Sequence, residues 1–368
     1  MRMALRAACI LLSALVLPPV CHGAQDKIRI FVVSSYHRDY LWSQDTHKGV
    51  CAGLLDFKFL DDQKQADEYT QSDYLETDKV VIRKAWMDTK RKSQKNEIAA
   101  VASRLMRQIK EFKPDLVMLG DDNAAHYLGT QLIDSDIPVV FWGLDGSPLK
   151  YGLLDSPDRP GHNVTGVYQP GYYRECLEYF KKLIPGIRSF AVLSDDSETG
   201  RVKAKMIKRA AEEGGSGLAL AEIFMTNSFE EWKAAALRLQ DKVDAFFVVN
   251  HNTLKDEQGM PLDPLKAGAW YLRNIRKPES VPEKQFILEG MLFTVDDSGF
   301  RQGYEAVKIA HMILHEKKEA ALIPAISPSR GAIILNRLRA KTLGIDPSDK
   351  SFIEEYVDTS LALEKYPH

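Results

Sequence analysis

The constraint that most narrows the fold is a repeated alternation. Short, continuous apolar runs recur along the chain, each followed by an amphipathic stretch. The runs fall at residues 28–33, 80–82, 115–119 and 137–142, and again at 190–193, 218–224, 245–249, 286–288 and 332–335. Between them lie expected helices at 43–56, 97–112, 124–132, 171–183, 202–213, 229–240, 267–275 and 300–315; Ile98, Val101, Leu105 and Ile109 share one helical face. Strands apolar on both sides and separated by helices imply parallel sheets covered on both faces.

The rhythm is interrupted once. Residues 144–165 carry Gly146, Pro148, Gly152, Pro157, Pro160 and Gly161 with little periodicity, and are read as the linker between two α/β units. A chain of 368 residues is long enough for both. With 49 basic and 51 acidic residues there is no cationic field for nucleic acid. At the N-terminus, Arg2 and Arg6 precede the apolar run 7–17, and Cys21 and Gly23 suit cleavage before Ala24. Residues 1–23 are therefore expected to be a secretory signal peptide, with an uncleaved anchor as the alternative. Its removal leaves Cys51 and Cys176, which are expected to be isolated buried thiols.

Enzyme signatures are absent: there is no phosphate-binding loop, no nucleophile elbow and no C-x-x-C pair. His311 and His315 share a helix face but lack a third ligand, and no metal or cofactor is expected. Polar and aromatic side chains gather instead at the carboxyl ends of the expected strands, where open α/β sheets bind ligands. These are Ser35, Tyr36, His37 and Trp42 after the first strand, Asp121, Asp122 and Asn123 after the third, and Trp142 and Asp145 at the fourth. Tyr168, Asp195, Asp196, Asn250 and Glu289 follow in the second half. Any one of the Ser, Asp or Asn residues is also a good helix cap. Their recurrence in both halves points to a cleft that binds a small molecule, with rings for apolar contact and acids and amides for orientation.

The same stretches carry a resemblance. Ser34-Ser35-Tyr36-His37 with Trp42, Trp86-Met87-Asp88-Thr89-Lys90-Arg91, residues 114–124, 137–143, 163–167 and 194–200, and Ile334-Leu335-Asn336 with 340–345 resemble periplasmic substrate-binding proteins of ABC transporters. The branch is similar to the input domains of sensor histidine kinases. The resemblance implies an α/β type I periplasmic-binding fold: two Rossmann-like lobes with parallel sheets flanked by helices, joined by a hinge of three crossovers. Lobe one would be 24–160 plus 293–325, and lobe two 161–292 plus 326–368. It implies a monomeric periplasmic protein that binds a small polar or zwitterionic ligand, an amino acid among the candidates, and delivers it to a membrane permease. A stand-alone sensing subunit for a histidine kinase, or a secreted hydrolase using Asp121, Asp122 or Glu289 with His37, are the alternatives. Asp145 stands where relatives often carry Asn; the added acid either favours a cationic or amine-bearing ligand or only caps a turn.

Overall fold

The computed structural model describes residues 27–368; the expected signal peptide lies outside the described residues. Six strands form the first sheet: β1 (Ile28–Ser34), β2 (Tyr74–Glu76), β3 (Val80–Trp86), β4 (Leu116–Gly120), β5 (Val139–Asp145) and β6 (Val164–Gln169). Their order is β2-β3-β1-β4-β5-β6, parallel except for β2 against β3. The second sheet holds β7 (Ser189–Ser194), β8 (Ala219–Met225), β9 (Ala245–Asn250), β10 (Glu279–Ser280), β11 (Phe293–Val295), β12 (Ile333–Asn336) and β13 (Glu355–Val357). Its order is β13-β12-β11-β10-β9-β7-β8, with β11 and β12 antiparallel.

Local chemistry explains the elements. The helix Lys95–Phe112 starts with a capping box between Gln94 and Glu97 and buries Ile98, Leu105, Met106 and Ile109. It stops at Lys113, which is left-handed at φ 50°, just before Pro114. Each sheet carries a separate apolar cluster on each face, as covered parallel strands require.

Three expectations are corrected. First, β6 lies in the first sheet, so the first lobe extends past residue 160 to about Gln169. The Pro/Gly-rich segment is no hinge; it wraps the first lobe and buries Leu153 and Leu154 there. Second, β11 belongs to the second sheet, and the chain returns to the first lobe only at the helix Gly299–Leu314. A third crossing follows Ile326, which bridges to Val167 of β6. Third, residues 286–288 are helical, within Lys284–Glu289, rather than a strand. Cys176 is a buried free thiol pushed up to about 12 by burial, whereas Cys51 is free but only partly buried.

The returning helix Gly299–Leu314 packs against Leu41–Asp56 through glycines. A Cβ on Gly49 would stand 1.9 Å from the Phe300 carbonyl oxygen, and one on Gly303 would stand 2.1 Å from that of Thr46. Gly303→Ala should therefore force the helices apart and cost about 1–3 kcal/mol in denaturant unfolding. An unchanged midpoint would contradict this packing.

Candidate functional site

The carboxyl ends of β1, β4 and β5 face those of β7 and β9 across the lobe interface. Between them lies a cavity with about 280 Å³ of empty space, much of it narrower than a water molecule. One wall is the aromatic cluster Tyr36, Tyr40 and Trp42, each under a tenth exposed and packed apart from the four core clusters. Tyr36 and Tyr40 meet edge-to-face at 5.1 Å. Lys90 sits over both rings, 4.3 Å from the Tyr36 centroid and 5.5 Å from that of Tyr40.

Asp121 is the central acid. It begins the turn after β4 at φ 66°, a left-handed conformation uncommon outside glycine. Its Oδ1 accepts from Trp42 Nε1 at 2.6 Å. Burial drives its carboxyl well above the usual range, with neighbouring Asp122 and Asp145 adding to the rise and the Trp42 bond opposing it. Burial lowers the Lys90 ammonium in turn. From the second lobe Lys203 reaches Asp145 at 3.4 Å and pairs with Glu283.

Other bonds also span the interface. Asn252 Nδ2 donates to the Tyr40 hydroxyl at 2.8 Å, Gln285 Nε2 to the same oxygen at 3.2 Å, and the Tyr151 hydroxyl to Glu198 Oε1 at 2.7 Å. The lobes are thus closed on the cavity.

Of the residues singled out in the sequence, Tyr36, Trp42, Asp121, Asp145 and Asn250 line this cavity. The others stand elsewhere, each for a local reason. Asp122 is buried beside it, its Oδ1 3.0 Å from the Tyr151 hydroxyl oxygen and paired with Lys150. Ser35 ties β1 to β4, donating to the Gly120 carbonyl at 2.7 Å and accepting from Ala124 N at 2.8 Å. His37 lies outside, 3.4 Å from Asp88. Asn123, which donates to Thr89 Oγ1 at 3.0 Å, and exposed Asp196, paired with Arg201 at 2.7 Å, line the outer mouth between the lobes. Trp142 is fully buried in the first lobe's core, filling the space over Gly120. Tyr168 packs against that lobe's other apolar cluster. Asp195 holds its own turn, accepting from Ser197 Oγ at 2.6 Å and Thr253 N at 2.8 Å. Glu289 meets His251 Nε2 at 2.8 Å inside the second lobe.

Sequence reading missed Lys90, Gln169, Lys203, Glu283 and Gln285, all of which line the cavity, as does Thr199 at the end of the strand-end stretch 194–199. Lys90 lies in one of the stretches that carry the family resemblance. Of the second-lobe side chains, Lys203 lies on the helix Glu198–Glu212, Gln285 on the helix Lys284–Glu289 and Glu283 just before it, where no strand end marks them.

Two buried acids near the crossing after β11 make stability depend on pH. Burial pushes the carboxyls of Asp296 and Asp297 up to about 7, from an ordinary 3.8. The folded state then holds protons that the unfolded chain has released, so their stabilising contribution is full below about pH 4 and lost as pH rises through about 7. His47, held down to about 3 by burial, acts oppositely, because protonation of the unfolded chain below about 6.5 disfavours folding. The two acids outweigh the single histidine. The thermal midpoint of the ligand-free protein should fall between about pH 5.5 and 7.5; a rising midpoint would contradict these assignments.

Two α/β lobes joined by three crossings and closed on an aromatic, acidic cavity define a solute-binding protein of the periplasmic-binding class. The chain belongs to the ABC transporter substrate binding protein family, whose model matches residues 75–354. Its fold is similar to that of the ABC domain from Streptococcus pneumonia in complex with L-Trp, with a TM-score of 0.68, 21% identity, and coverage of 90% of this chain and 100% of that one. A ligand-free, open substrate binding protein with adhesive properties from Clostridium difficile is similar at TM-score 0.64, with 19% identity and coverage of 90% and 99%. A TorS sensor domain–TorT complex without ligand is similar at TM-score 0.51, with 14% identity and coverage of 83% and 91%. No curated protein sequence matches the chain. Among the described residues, no helix is long and apolar enough to cross a membrane.

Proposed function

We propose that the protein captures a small zwitterionic or amine-bearing solute between its lobes in the periplasm and delivers it to the permease of an ABC transporter. The observation that carries this reading is Asp121, a buried carboxyl on the cavity wall whose one hydrogen-bond donor among the described residues is the Trp42 indole. A ligand ammonium would give that carboxyl the charge partner it lacks, and Lys90 would take an anionic group at the other end. The rings of Tyr36, Tyr40 and Trp42 supply apolar contact, and the L-Trp found with the Streptococcus pneumonia relative is consistent with such a site. The narrow cavity requires the lobes to open for entry, which hinge motion in this architecture provides.

A thermal-shift screen over amino acids, amines and nucleosides tests the proposal. A true ligand at about 100 times its Kd should add roughly 2.7 kcal/mol of stability. Failure of every amine-bearing compound to stabilise the protein, or its turnover, would overturn the reading.

A further inference from the structure

A second pocket opens in the first lobe, between the start of the helix Leu41–Asp56, the helix Gln63–Gln71 and the end of β3. It shares no lining residue with the interlobe cavity. Its empty space, counted out to the mouth, is about 710 Å³, against about 280 Å³ between the lobes.

The chemistry of its walls is specific. Trp86 and Tyr69 provide ring surface, and His47 is neutral, its two ring nitrogens bonded to Ser34 Oγ at 2.7 Å and the Tyr69 hydroxyl at 3.3 Å. Lys84 is 7% exposed; its Nζ donates to the Tyr69 carbonyl and lies 4.3 Å from that residue's ring centroid. The carboxylate that acts on Lys84 most, Asp73, is already held by Arg38 and by Trp86 Nε1 at 2.9 Å. Burial lowers the Lys84 ammonium to about 8, so it is still cationic at neutral pH. Ser43, 1% exposed, also lines the pocket, and its Oγ has no hydrogen-bond partner. A buried cation without a contacting counter-ion and a buried hydroxyl without a partner are each costly unless something fills their valence.

We infer that this pocket is a second ligand site, taking an aromatic carboxylate whose anionic group pairs with Lys84 and Ser43 while its ring lies against Trp86. Arg38 and Lys48 at the rim add positive charge, with Asp39 the acid among the lining residues. The inference is independent of what the interlobe cavity binds.

Benzoate is the probe, with benzamide as its uncharged counterpart. The readout is the Trp86 indole ¹H–¹⁵N resonance of the full chain, identified by its loss in Trp86→Phe. Benzoate should shift that resonance saturably and leave the Trp42 indole in place. Benzamide should need about tenfold more, and Lys84→Met should weaken benzoate by about tenfold or more, the scale of a lost charged hydrogen bond. Equal response to benzoate and benzamide, no response of the Trp86 resonance, or a response confined to Trp42 would each overturn the inference. The wild-type comparison of the two probes decides the matter even if Lys84→Met fails to fold.

Discussion

Asp121→Asn is expected to weaken an amine-bearing ligand by about 1.5–3 kcal/mol, roughly ten- to a hundredfold in Kd, without loss of stability. Asn keeps the shape and still accepts from Trp42 Nε1, and it tolerates the left-handed φ of 66°. Only the charge is lost. Because burial holds the Asp121 carboxyl well above its ordinary range, removing it should leave the thermal midpoint unchanged or raise it. The same elevation predicts that an ammonium ligand drives a proton off Asp121, so the binding enthalpy should vary with the ionisation enthalpy of the buffer. Unaltered affinity in the variant, measured by calorimetry, would remove Asp121 from the site.

Glu279→Ala should destabilise the second lobe by about 3–5 kcal/mol. Glu279 is fully buried on β10, the two-residue strand between β9 and β11. Its carboxylate pairs with Arg339 at 2.9 Å and accepts from Leu292 N at 3.0 Å. Arg339 in turn donates to the carbonyls of Leu272 at 3.1 Å and Ile275 at 3.0 Å. One ion pair thus ties the helix Arg337–Thr342 to the sheet, and deleting the acid strands a buried guanidinium. Glu279→Gln should cost less, since it can still accept a bond. Chemical denaturation of the two variants checks this, and equal stability of Glu279→Ala and wild type would contradict it.

Strands that are buried on both faces were legible because their apolar runs are continuous, as at β1, β4, β5, β7 and β9. The short strands β2, β10 and β13 carry two or three residues each, too few for a pattern. Phe286, Ile287 and Leu288 illustrate the ambiguity of a short apolar run: Phe286 and Ile287 are fully buried, but from a six-residue helix. In the cavity, strand ends announced Tyr36, Trp42, Asp121, Asp145 and Asn250. Lys203 was not legible, because a lysine within a basic helix reads as solvated until the opposite lobe's Asp145 covers it. Trp142 shows the reverse case, since its place at a strand end suggested the cleft while the bare backbone of Gly120 made room for it in the core.

A crystal structure of the protein grown with the strongest hit from the screen decides whether a ligand is held between the lobes. Ligand density is expected against Tyr36, Tyr40 and Trp42, with an amine nitrogen at hydrogen-bond distance from Asp121. Density for a bound ligand elsewhere, with this cavity empty, would contradict it.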